Sequence, residues 1–88
     1  MSTIPLRVQR QWVEQHLDAI REAIIEMLED DETWHKFVEL SDERLKDGFD
    51  IYEDLMFTWE PSRCIENAYE EIADLINYEA AALWPREE

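Results

Sequence analysis

One glycine, Gly48, and three prolines, Pro5, Pro61 and Pro85, are the only strong breakers in 88 residues. Between them apolar residues recur at steps of three and four, the spacing of one helix face, and not at the steps of two that a half-buried strand requires. That combination confines the chain to helices. The fold class it predicts is all-α: a small helical bundle of three to four helices, two of them long and antiparallel (about 6–29 and 62–84), with shorter helices between.

The individual helices follow from capping chemistry and periodicity. Thr3 is placed to cap the first helix with Pro5 in its opening turn, and Val13, Leu17, Ile20, Ile24 and Met27 carry its apolar face to about Glu29. The acidic stretch Glu29 to Glu32 suits a break and a new start, with Asp30 or Asp31 as cap and Trp34, Phe37, Val38 and Leu45 facing inward. This second helix is expected to end at Gly48. A kink at Ser41, where Leu40 and Leu45 stand at staple spacing, is the alternative to one continuous element. Asp50 and Glu53 have capping-box spacing for a third helix from Ile51 to about Trp59, which Glu60 and Pro61 then stop. Ser62 is the expected cap of the fourth helix, whose series Ile65, Tyr69, Ile72, Ile76 and Leu83 reaches Trp84 before Pro85.

A length of 88 residues fits one small domain, 1–88, with a modest stability margin that a self-assembled dimer would relieve. Apolar residues make up 45%, including four Trp, three Tyr and three Phe, which is enough to fold despite the charge. Cys64 is the sole cysteine, so no intramolecular disulfide forms, and this favours a reducing cytoplasmic setting. Arg7 and Arg10 are followed by no apolar secretory stretch, and no run reaches membrane-spanning length, so the expectation is a soluble, untargeted chain.

Charge bounds the partner. Twenty-three Asp and Glu stand against eight Lys and Arg, a formal charge of −15. Nucleic acid and anionic lipid are excluded as direct ligands because their phosphates would meet like charge. On a wheel of 100° per residue, Asp18, Glu22, Glu26 and Glu29 form a ridge opposite the apolar stripe of the first helix. One charge falls about every 5 Å, the same order as the 3.4 Å per phosphate along a DNA strand. A second ridge forms on the fourth helix, with Glu70 and Asp74 outward and Glu66, Glu71, Asn77 and Tyr78 on its flanks. The second helix pairs opposite charges at i, i+4 through Glu32 with Lys36 and Asp42 with Lys46. The ridges instead hold like-charge pairs such as Glu22 with Glu26 and Glu70 with Asp74, each costing a few tenths of a kcal/mol in an isolated helix. Solvated helix faces are the ordinary reading of such runs. The absence of compensation favours a surface whose negative potential is used.

The aromatics sort into core and contact. Trp34 is expected in the core. Trp12 lies off the stripe of the first helix and Tyr78 points away from that of the fourth, so both are candidate partner-binding anchors. The segment Ile51, Tyr52, Leu55, Met56, Phe57 and Trp59 is too apolar for an exposed short helix, and it is either buried or an interface, a homodimer satisfying both.

No catalytic constellation, metal site or cofactor motif is complete. Glu32 and His35 have the Glu-x-x-His spacing of one quarter of a carboxylate-bridged di-iron bundle. Cys64 near a helix start lacks a partner base, since His16 and His35 lie on other helices. Glu26 with Glu29 and Glu71 with Asp74 resemble the paired carboxylates of MazG-type nucleotide pyrophosphatases, a resemblance carried by four residues that implies magnesium and a nucleoside triphosphate.

The leading functional expectation is a non-enzymatic, acidic interaction module: an inhibitor or nucleic-acid-mimic decoy that blocks the basic surface of a nucleic-acid-handling protein. Anti-restriction and anti-CRISPR proteins of phages and mobile elements share this combination of size and charge. Its partner-binding residues are Asp18, Glu22, Glu26, Glu29, Glu70, Asp74, Tyr78 and Trp12. The second expectation is a small structural or adaptor subunit acting through a homodimer or hetero-interface at residues 51–59. A magnesium-dependent pyrophosphatase is the third.

Overall fold

The computed structural model describes residues 3–86. Four α-helices and one 3-10 turn follow one another: α1 (Leu6–Gln15), α2 (Leu17–Glu29), α3 (Asp31–Tyr52), the turn Leu55–Thr58, and α4 (Pro61–Leu83). The all-α bundle expected from periodicity is therefore the fold, and among the described residues there is no strand. Its helix boundaries differ from the expected ones in four places, each with a local cause.

The first difference is at His16, where the expected helix over 6–29 divides into α1 and α2. In a continuous helix the His16 N–H would donate to the carbonyl of Trp12. Here the imidazole Nδ1 lies 2.7 Å from that carbonyl, and the backbone N–H turns to Val13 instead. Because a carbonyl only accepts, Nδ1 is the protonated nitrogen. His16 adopts φ −120° and ψ 17°, outside helical values. At the other end, Pro5 occupies the N-cap without a side-chain cap, and its carbonyl accepts from Val8 and Gln9, so Thr3 does not cap.

Asp30 does cap α3. Its carboxylate accepts from the Thr33 N–H at 2.9 Å and from the Thr33 hydroxyl at 2.6 Å, and these bonds hold its carboxyl below the ordinary value, with Lys36 adding a smaller pull. The second difference follows: α3 runs unbroken through Ser41 and Gly48 to Tyr52. Gly48 faces open space and has a helical backbone, so it weakens the helix without ending it.

The stop comes at Glu53, the third difference. Glu53 has φ 54° and ψ −126° and Asp54 has φ −97° and ψ 14°, the angles of a type II′ turn whose first central position favours glycine. The expected helix over 51–59 is thus the end of α3, this turn, and one 3-10 element. Fourth, α4 opens at Pro61 with Glu60 as N-cap residue and not at Ser62, because proline is pre-organised for the first helical position. The Arg63 guanidinium lies 3.9 Å over the Trp59 ring and steadies this corner.

α2 is the centre of the packing, lying against both α3 and α4, while α1 lies against α4. Trp12, one turn before α2, sits at Ala80 and Trp84 near the end of α4, so α2 starts there and runs back along α4, antiparallel. Ile20 and Ala80 are the only hydrophobic residues buried among those described. Ile24 and Met27 of α2 and Ile76 of α4, from the apolar series read from the sequence, are half-buried, as are Ala23 and Leu75 beside them, whereas Leu17, Ile65, Tyr69, Ile72 and Leu83 of the same series are exposed. Trp34 is not in a core: it is 50% exposed, because nothing among the described residues covers the outer length of α3.

The radius of gyration is 16.5 Å, against about 12 Å for a compact chain of this length. The accessible surface is 8305 Å², whereas a compact protein of 10.6 kDa exposes about 5,500 Å². The splayed helices account for both.

Candidate functional site

Two kinds of surface stand out, one acidic and one apolar. The acidic one is built on α2 and α4. Ile20, Ala23, Ile24 and Met27 turn α2 inward, and the 3.6-residue period then sends Asp18, Glu22, Glu26 and Glu29 outward, where all four are exposed. Glu70 and Asp74 are exposed on α4 in the same way. Since α2 and α4 pack together, the two ridges stand on neighbouring helices. Lys46 with Asp42 on α3, at 2.9 Å, is the one ion pair among the described residues, so none of the six ridge carboxylates has a cationic partner there. Arg21, one turn beyond Asp18, makes no such pair.

Of the two aromatic anchors, Tyr78 is 75% exposed on α4. Trp12 behaves differently. Its indole N–H donates to the Ala80 carbonyl at 3.1 Å, its ring stacks on His16 at 3.6 Å, and it meets the Trp84 ring edge-on at 4.9 Å. Ala80 belongs to the last turn of α4, whose carbonyls lack helical partners, so Trp12 satisfies one of them. This side chain is half-buried and joins α1 to α4. An open groove of about 1040 Å³ runs beside the joint, with Ile4, Leu17 and Arg86 in its walls.

The apolar surface is larger than the sequence suggested. Ile51, Tyr52, Leu55, Met56 and Phe57 are all exposed, Ile51 and Phe57 at 72%, and only Trp59 is half-buried. Further apolar side chains are exposed on α3, Val38, Leu40, Leu45 and Phe49, and on α4, Ile65, Tyr69 and Ile72. A second groove, about 390 Å³, is lined by Phe37, Leu40, Ser41, Arg44, Leu45 and Met56. Arg44 among apolar neighbours is the sequence signal that could have marked it.

The chemistry-bearing residues stay apart. Glu32 and His35 are exposed on α3, and no group of three or more His, Cys, Asp or Glu among the described residues is arranged to hold a metal ion. Cys64 is half-buried with its sulfur 3.7 Å from the Met56 carbonyl. No helix among the described residues is long and apolar enough to cross a membrane. No protein-family model, curated protein or solved structure matches the chain.

Proposed function

We propose that the protein is a non-enzymatic, acidic interaction module whose α2 and α4 carboxylates occupy the basic surface of a nucleic-acid-handling protein in place of phosphates. The observation that supports it is the pair of exposed ridges on neighbouring helices, six carboxylates without an ion-pair partner among the described residues. A face of one sign raises the encounter rate with a basic cleft and repels nucleic acid itself. Tyr78 supplies an exposed aromatic contact beside Asp74. The setting this implies is cytoplasmic, where restriction and CRISPR-type effectors work.

The test is capture of a basic nucleic-acid-binding protein from the native host, with the wild type compared against replacement of all six carboxylates by Lys and, separately, by Gln. Capture should fail in both variants, fall steeply with salt, and be competed by duplex DNA. Capture that survives both replacements rules the reading out, provided that far-UV circular dichroism shows the Gln variant folded.

The exposure of residues 51–57 favours a second reading, a structural or adaptor subunit that works through that segment. Leu55→Ala with Trp59→Ala would abolish its function and leave carboxylate-dependent capture intact.

A further inference from the structure

Two stretches of exposed apolar residues, one on α3 and one spanning the 3-10 turn and the start of α4, have an unusual electrostatic property, whereas residues 47–54 between them hold four acids and no cation. In residues 36–46 three cations, Lys36, Arg44 and Lys46, balance three anions, Glu39, Asp42 and Glu43. In residues 55–65 Arg63 balances Glu60. The whole net charge of −15 therefore lies outside these two stretches. Four of the eight cations are in them, and so are all six residues that line the smaller groove. A basic partner drawn by the ridges has no electrostatic reason to cover these two stretches. What they require is an apolar, near-neutral complement.

We infer that the complement is a second copy of this chain, paired two-fold through these two stretches into an obligate dimer. A two-fold contact sets one patch against itself, and a stretch with equal numbers of cations and anions is then its own counterpart: Arg44 of each copy meets a surface that holds Glu39, Asp42 and Glu43. The area agrees. Each chain exposes about 2,800 Å² more than a compact protein of its mass, so two copies that lose this excess bury about 5,600 Å² in total, in the class of obligate homodimers. With two buried hydrophobic residues among those described, the lone chain has almost no core, and pairing supplies one. Asp18, Glu22, Glu26 and Glu29 on α2 and Glu66, Glu70, Glu71, Asp74 and Glu79 on α4 stay on the outside of each copy, while Asp47, Asp50, Glu53 and Asp54, between the two stretches, border the contact and repel their counterparts. The dimer does not depend on what the ridges bind.

Sedimentation equilibrium and native mass spectrometry of the wild type test the inference. The expected mass is twice 10.6 kDa, with a melting temperature that rises with protein concentration. Raising the salt should leave the dimer intact or tighten it, because the contact is neutral and the remaining charge is repulsive. Leu45→Glu with Phe57→Glu should weaken pairing at least about tenfold. The six-carboxylate Gln variant should remain dimeric, which separates this inference from the carboxylate reading. A helical wild-type chain of 10.6 kDa whose melting is independent of concentration overturns it, and so does a larger assembly or a dimer indifferent to the Leu45 and Phe57 changes.

Discussion

Trp12→Phe and Trp12→Ala, measured as a pair, separate the two things one side chain does where α1 meets α4. Phenylalanine keeps a ring against His16 and Trp84 but has no N–H for the Ala80 carbonyl, 3.1 Å away in the wild type. Losing that bond costs about 0.5–1.5 kcal/mol, and the lower half applies where water reaches the freed carbonyl of a half-buried site. Alanine loses the hydrogen bond and both ring contacts, the latter worth about 0.5–1.5 kcal/mol each. The sum is about 1.5–4.5 kcal/mol, at or below the cost of truncating a fully buried tryptophan, as partial exposure requires. For a chain this size the melting temperature should fall roughly 2–10 °C for Trp12→Phe and roughly 10–25 °C for Trp12→Ala. Thermal melts followed by far-UV circular dichroism, at one fixed protein concentration, read both. Helix content before melting should hardly change, because the His16 imidazole bonds the backbone of residue 12, which either variant retains. Equal losses for the two variants would mean the rings contribute nothing. A loss below about 1 kcal/mol for Trp12→Ala would mean α1 is not docked through this residue.

Gly48→Ala should stabilise the chain by about 1 kcal/mol, since α3 is continuous there and an added Cβ meets nothing within 4 Å; chemical denaturation reads it as a higher midpoint with unchanged slope. Glu53→Gly should also stabilise, by about 1 kcal/mol, by relieving a side chain held at φ 54°, and a melting temperature equal to or below wild type would contradict the strain. The Asp30 carboxyl, held down chiefly by the Thr33 hydroxyl and then by the Thr33 N–H, should titrate below 3.8 in carbon-13 NMR. A depressed folded value stabilises the fold above the ordinary carboxylate range, and that contribution is lost as pH falls from 3.8 through the lower folded value. Thr33→Val removes the hydroxyl donor, so it should move the Asp30 titration back up and flatten the acid limb of the stability curve.

What the sequence made legible were the features decided within a few residues. The helical period and the scarcity of glycine and proline carried the fold class, the acidic stretch Glu29 to Glu32 offered Asp30 as one of two caps, and the 100° wheel put the six carboxylates outside. What escaped it depended on distant or unusual bonds. No breaker stands at His16, whose side chain displaces its own N–H from the Trp12 carbonyl while Trp12 itself is held by Ala80, 68 positions away. Glu53 takes a glycine conformation without being glycine, so the expected end of α3 at Gly48 falls four residues before Tyr52. Trp34 has the period of a core residue, but the surface that would bury it is not supplied by the described residues. Trp12 lies off the stripe of a single continuous helix, but the helix divides at His16 and Trp12 packs on α4 at Ala80 and Trp84.

Ile4 and Arg86 line the same groove, so residues near the two ends of the described chain border one surface feature. The order in which the helices are linked is then separable from the way they pack. A short flexible linker from residue 86 to residue 4 would close the backbone into a ring without moving a helix, and the ring could be reopened in an exposed turn. A circular permutant of this kind would carry the same α1 to α4 joint, now formed between segments separated by one short connection in sequence.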